Sequence, residues 1–404
     1  MPLLPTASVV FHTLRHALAG RVARAWRSAA HREQKLRIGV DIRPFYEPLT
    51  GVGWYLYYLL HELAKRDDVE LYLFGDARVT DDGPFLHADL PPNAHLCTFD
   101  LRGQSLSRLS RPMTAGGYVL WMSLAGCDVF FGANYFLPRL HGAVAKRRVV
   151  TVHDLTYKRF PELLQKETLE NLDRQMQREV AVADAIVCVS ESTRRDLLRY
   201  YDADPQRVFA ILSGLGTPAV AEPFDGLPSR YILFVSTIEP RKNLGTLVDA
   251  YERLRDRGAY DGSLVVVGKV GWKSESLVPR LRGRGIIHLD YVPAPQLATI
   301  YERAEAFVFP SIYEGFGFPL LEAMARGVPT IAARSSSLPE IGGDAALYFE
   351  PMDVDALTAQ LARVLSDGAL RASLAAKGQE QAAKFRWDRA AAETLEVLKR
   401  TAAG

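Results

Sequence analysis

Two glutamates, Glu314 and Glu322, bracket a short glycine-rich stretch, and residues 309–322 read FPSIYEGFGFPLLE. The apolar run before them suits a strand. Gly315 and Gly317 allow a tight turn and close approach by a ligand. Pro319, with Phe318 and Leu320 beside it, suits the start of a helix, where no intrahelical partner exists for its missing N–H. Free N–H groups at such a start favour a phosphate, and the two carboxylates could grip hydroxyls on either side of it. A second constellation, Glu239-Pro240-Arg241-Lys242-Asn243, follows the apolar run YILFVST. Its adjacent cations could bind a diphosphate and offset charge building on a departing group. His153 and Asp154 end a third apolar run, RRVVTV, and Gly51 and Gly53 separate a first strand from a first helix. Each has a plainer reading in isolation: surface glutamates, solvated cations, a structural histidine, and a Gly-x-Gly pair of little specificity.

The elements that must position these residues belong to a chain of 404 residues, 48% hydrophobic and 24% charged, with 49 Lys and Arg against 47 Asp and Glu. That size allows roughly two domains, and the near-balanced charge gives no sign of a nucleic-acid partner. Cys97, Cys127 and Cys188 are odd in number and far apart, which argues against a disulfide framework and for a reducing, cytoplasmic compartment. The most apolar segment, residues 118–132, is interrupted by Asp128 and is shorter than the about 20 residues that span a bilayer. Residues 9–35 carry six basic side chains against the single acid Glu33, with Phe11, Leu14, Leu18, Val22 and Trp26 at helical spacing. They read equally as an amphipathic helix lying in a membrane interface or as a disordered extension. Without a continuous apolar core they do not make a signal peptide.

From Leu36 onward, short apolar runs alternate with amphipathic stretches, the pattern of α/β units around a parallel sheet. Strands are expected at LRIGVDI, VELYLFG from Val69, residues 128–131 and 148–152, AIVCVS and VFAIL, with helices over 54–65, 165–183 and 193–201. Residues 76–117, rich in Pro, Gly, Asp and Ser, are expected to be irregular. Pro and Gly crowd residues 213–230, which read as a linker. A second α/β series follows over 231–384, and residues 385–404 read as a closing amphipathic helix. Domains are therefore expected at 36–212 and 231–384.

The spacing of Glu314 and Glu322 within GFG-PLLEA closely resembles the signature of retaining glycosyltransferase family 4, and the order of elements over 36–400 is similar to that family. The resemblance implies a GT-B fold: two Rossmann-like domains facing across a cleft, the first for the acceptor, the second for the nucleotide sugar, with the last helix returning to the first domain. It implies that Gly51 and Gly53 lie under the donor diphosphate, that His153 lies beside the donor sugar, and that Arg241 and Lys242 contact phosphates. Many members place the Arg five positions before the Lys, where this chain has Thr237, so Arg241 carries over as a substitute. Glu314 would hold sugar hydroxyls and Glu322 the ribose, with Gly315, Gly317, Phe318, Pro319 and Leu320 at the phosphates. Tyr291 and Val292 would border the base or simply pack. The combination of IGVDIRP, TGVG, VHDLTY and TIEPRKNL looks like bacterial mannosyl- and rhamnosyltransferases of O-antigen and exopolysaccharide assembly. This implies GDP-mannose or a related GDP-deoxyhexose, no metal, and a lipid-linked saccharide acceptor at the inner face of the cytoplasmic membrane. A GT-B epimerase, a phosphorylase or a catalytically silent sugar-nucleotide-binding subunit would share much of this pattern.

Overall fold

A computed structural model describes residues 35–45, 51–76, 91–99, 125–135, 137, 145–163 and 166–404. The expected basic helix at 9–35 lies outside them but for Lys35. The uniformly apolar runs become strands buried on both faces, where no polar side need be kept for water. In the first domain β1 (Leu36–Asp41), β2 (Val69–Asp76), β3 (Ala94–Phe99), β4 (Cys127–Gly132), β5 (Ala145–Val152), β6 (Ala185–Cys188) and β7 (Val208–Ala210) form one sheet. Its order is β3-β2-β1-β4-β5-β6-β7, and every pairing is parallel. Helices α1 (Gly51–Leu63), α2 (Lys166–Val182) and α3 (Glu191–Tyr200) connect these strands.

The second sheet contains β8 (Tyr231–Val235), β9 (Ser263–Val267), β10 (Ile286–Leu289), β11 (Ala306–Phe309), β12 (Thr330–Ala333) and β13 (Ala346–Phe349). Its order is β10-β9-β8-β11-β12-β13, again all parallel. Around it lie α4 (Leu244–Asp256), α5 (Ala294–Glu302), α6 (Phe318–Ala325), α7 (Val354–Ser366) and α8 (Gly368–Ala382). The last helix, α9 (Trp387–Ala403), leaves this domain and packs on α1, β4 and β5 of the first. Leu395 and Leu398 are buried there, the Trp387 ring stacks on Tyr58 with centroids 5.5 Å apart, and Lys399 Nζ lies 2.7 Å from Asp68. Among the described residues no helix is long and apolar enough to cross a membrane.

Three local expectations need correction. Residues 94–99, placed in an irregular region, form β3; among the described residues this strand pairs only with β2, at the sheet edge, so His95 and Thr98 can interrupt the apolar run that marks a central strand. Helix α1 starts at Gly51 rather than Trp54, putting both glycines in its first turn. At the other basic loop, residues 240–242 make a separate 3-10 turn, and α4 begins only after Asn243, whose φ of 55° breaks the helix.

Candidate active site

Strand order reverses in the second sheet between β8 and β11. In open parallel sheets a crevice opens at the carboxyl ends of strands flanking such a reversal. The loop after β8 carries Glu239, Arg241 and Lys242; the loop after β11 carries Tyr313, Glu314, Gly315 and Gly317. The topology therefore brings together residues 72 positions apart in the chain. Lys242 Nζ donates to Glu314 Oε1 at 2.6 Å, and Arg241 Nη1 donates to Glu314 Oε2 and to the Tyr313 carbonyl, both at 2.8 Å. Arg241 also pairs with Glu239 at 2.8 Å. Asn243 donates to the Pro310 carbonyl at 3.0 Å, tying the two loops to each other.

Four charges are thus packed into a nearly dry cluster that is neutral as a whole. Burial opposes ionisation of Glu314, but Arg241 and Lys242 outweigh it and hold the carboxyl at about 2. Burial also acts against the Arg241 charge, yet Glu314 and Glu239 raise its affinity for the proton. For Lys242 burial prevails over Glu314, and its pKa is lowered. A carboxylate offers about four acceptor positions. The two cations leave Glu314 capacity to accept from a further hydroxyl.

The first domain closes directly over this loop. Gly315 lies so near the end of β5 that a Cβ there would fall 1.7 Å from the His153 carbonyl oxygen. Ser190 Oγ donates to the Gly315 carbonyl at 2.6 Å, and the Tyr313 hydroxyl donates to Asp196 at 2.8 Å. The Glu340 carboxylate accepts from the first free N–H of α3, that of Glu191, at 2.9 Å. We expect Gly315→Ala to wedge the domains apart and destabilise the protein by about 1–3 kcal/mol, as overpacking does, readable as a lower denaturation midpoint.

His153 is half-buried, its Nε2 donating to the Ala133 carbonyl at 2.8 Å, with the Tyr55 ring edge-on at 4.9 Å. Burial lowers its pKa, so the imidazole is held neutral. Across the cleft, a Cβ on Gly51 would come within 4.0 Å of the Phe318 ring, which sets the amino termini of α1 and α6 against each other. Gly53 is buried inside α1. Gly317, at φ 120°, caps α6, and Pro319 occupies its first turn before the buried Leu320. Such opposed termini present free N–H groups to one volume.

Glu322 stands in the second turn of α6. It accepts from the Tyr301 hydroxyl at 3.2 Å, burial pushes its carboxyl up, and it shares no hydrogen-bond partner with Glu314. Tyr291 is 73% exposed while Val292 is buried, so of the two only the ring of Tyr291 is open to a ligand. Sequence reading passed over Tyr313, Ser190, Asp196 and Glu340. The aromatic directly before Glu314 was a visible signal for Tyr313; the others act across the domain boundary.

The profile of Glycosyltransferase Family 4 matches residues 49–217, and that of Glycosyl transferases group 1 matches residues 224–381. The chain is 32% identical over 390 residues to O-antigen chain mannosyltransferase B of Escherichia coli, covering 90% of this chain and 100% of that protein. Among solved structures it resembles sucrose-phosphate synthase from Thermosynechococcus elongatus, with a TM-score of 0.71 at 20% identity over 91% of this chain and 99% of the other. It also resembles HepE from Anabaena, solved with UDP and glucose, with a TM-score of 0.68 at 17% identity over 90% and 100%. The chain therefore belongs to the glycosyltransferases that join a Family 4 amino-terminal domain to a group 1 carboxy-terminal domain in the GT-B fold.

Proposed function

We propose that this glycosyltransferase moves mannose, or a related deoxyhexose, from a nucleoside-diphosphate sugar to a saccharide acceptor in cell-surface polysaccharide synthesis, with retention at the anomeric carbon and without a metal. The observation that carries it is the Arg241–Lys242–Glu314 cluster on the loop leading into α6, whose amino terminus lies against that of α1. Two fixed cations and preorganised N–H groups supply what a departing nucleoside diphosphate requires. In this reading the diphosphate takes up Arg241 and Lys242, Glu314 turns its free acceptor capacity to the hexose hydroxyls, and Glu322 takes the ribose. Neutral His153 orients the hexose beside the anomeric carbon. A donor phosphate oxygen takes the acceptor proton as the glycosidic bond forms on the face the nucleotide leaves. Tyr291 borders the base. The relative named O-antigen chain mannosyltransferase B supports mannose as the hexose, and the likeness to HepE, solved with UDP and glucose, supports a nucleotide-sugar donor. A cytoplasmic position at the membrane surface fits this chemistry, with the acceptor attached to lipid.

Incubating the full chain with a panel of nucleotide sugars, with and without a membrane lipid extract, and scoring nucleotide release identifies donor and acceptor together. GDP-mannose should turn over, the extract should accelerate it, chelator should leave the rate unchanged, and the product should carry an α-linkage. Turnover that requires free phosphate, or isomerisation of the donor without acceptor, would replace this reading with a phosphorylase or an epimerase.

A further inference from the structure

Where the Tyr313 hydroxyl reaches Asp196, the two domains line a cleft of about 420 Å³. Arg159, Arg195 and Arg199 of the first domain and Arg334 of the second line it. All four are exposed. Against them stands one acid, Asp196, which already accepts from the Tyr313 hydroxyl and lies 3.9 Å from Arg159. Arg334 lies over the Tyr348 ring, 5.0 Å from its centroid, and has a loose ion pair with Glu350 at 3.6 Å. Arg195 and Arg199 sit one turn apart on α3 and form no ion pair among the described residues. Like charges one helical turn apart repel, and four guanidinium groups around a single cleft raise the local concentration of anions.

We propose that this cleft is a second anion site, separate from the donor diphosphate, and that it receives a phosphate group carried by the saccharide acceptor. Guanidinium forks bind phosphate bidentately, and a ligand here would touch both domains at once. Tyr313 is the shared wall: its carbonyl takes Arg241 and its hydroxyl reaches Asp196. Filling the cleft therefore secures the loop that carries Glu314. The inference rests on the transferase reading for the identity of the ligand as an acceptor, while the anion site itself does not.

Calorimetric titration of the full chain with inorganic pyrophosphate should reveal two classes of site. One should disappear in Lys242→Ala. The other should weaken about tenfold or more in Arg195→Ala/Arg199→Ala, as expected for loss of charge-assisted contacts, while the first stays intact. Mannose 6-phosphate should compete only at the arginine site, and the double variant should raise the KM for a phosphorylated acceptor more than it lowers kcat. A single site lost in Lys242→Ala and indifferent to the arginine variant overturns the proposal. So does binding to phosphatidylglycerol vesicles that the double variant loses and mannose 6-phosphate leaves unaffected, which would assign the arginines to a membrane surface. If instead the second site is present but no nucleotide sugar turns over, the transferase reading fails and the anion site stands.

Discussion

Lys242→Ala is expected to lower kcat/KM for hexose transfer by about two to three orders of magnitude, the loss seen when one preorganised charge-stabilising group is removed. Lys242 is buried, and its Nζ reaches Glu314 at 2.6 Å, so no solvent cation can readily take its place. Arg241 would remain on Glu314, which keeps the carboxylate ionised and the loop in position. The defect should therefore fall on the step that separates sugar from diphosphate, leaving the folded structure largely intact. Steady-state rates with the identified donor, beside a denaturation curve, measure both. A variant that keeps parental kcat/KM would remove Lys242 from the reaction.

Glu314→Ala should be costly in two ways. Removing the carboxylate leaves Arg241 and Lys242 with Glu239 and the more distant Asp154 to compensate, and breaking a buried ion pair from one side costs about 3–5 kcal/mol. Loss of its grip on the hexose should add about 2–4 kcal/mol to the barrier. Glu314→Gln keeps an acceptor oxygen and the shape, so it separates charge from packing. The pH dependence follows from the sign of the shift. A carboxyl lowered from 4.5 to about 2 in the folded chain contributes stability that is complete above pH 4.5 and is lost as the pH falls through about 2. The contribution is of order 3 kcal/mol. The downward shift of Lys242 acts in the alkaline range and does not enter this window. Denaturant midpoints between pH 6 and pH 3 should fall steeply for the parent and less steeply for Glu314→Gln; parallel curves would mean that the carboxylate is not ionised by this cluster.

Much of the fold was legible because buried parallel strands write themselves as short apolar runs, and β1, β8, β9, β11 and β12 are each such a run. The crevice loop was legible for a similar reason: glycine, proline and glutamate within residues 314–322 fix a turn and a helix start locally. What escaped depended on distant chain. Edge strand β3 has one neighbour among the described residues, and His95 and Thr98 break its apolar run, so its own residues carry little sign of it. The depth of Glu322 depends on where α6 begins, and Gly317 sets that only through its left-handed backbone. The pairs Ser190–Gly315, Asp196–Tyr313 and Glu191–Glu340 are 125, 117 and 149 positions apart, a separation that local periodicity cannot encode.

The return of α9 to the first domain has a bearing on how the protein is made. Leu59, Leu60 and Leu63 of α1 sit in a shared core with Leu395 and Leu398, so this part of the early domain acquires its cover from residues translated long after it. A ribosome that has released the first sheet still holds back the helix that shields it. Nascent chains therefore carry an unshielded apolar seam until α9 emerges, and stalling before that point should make them clients of chaperones.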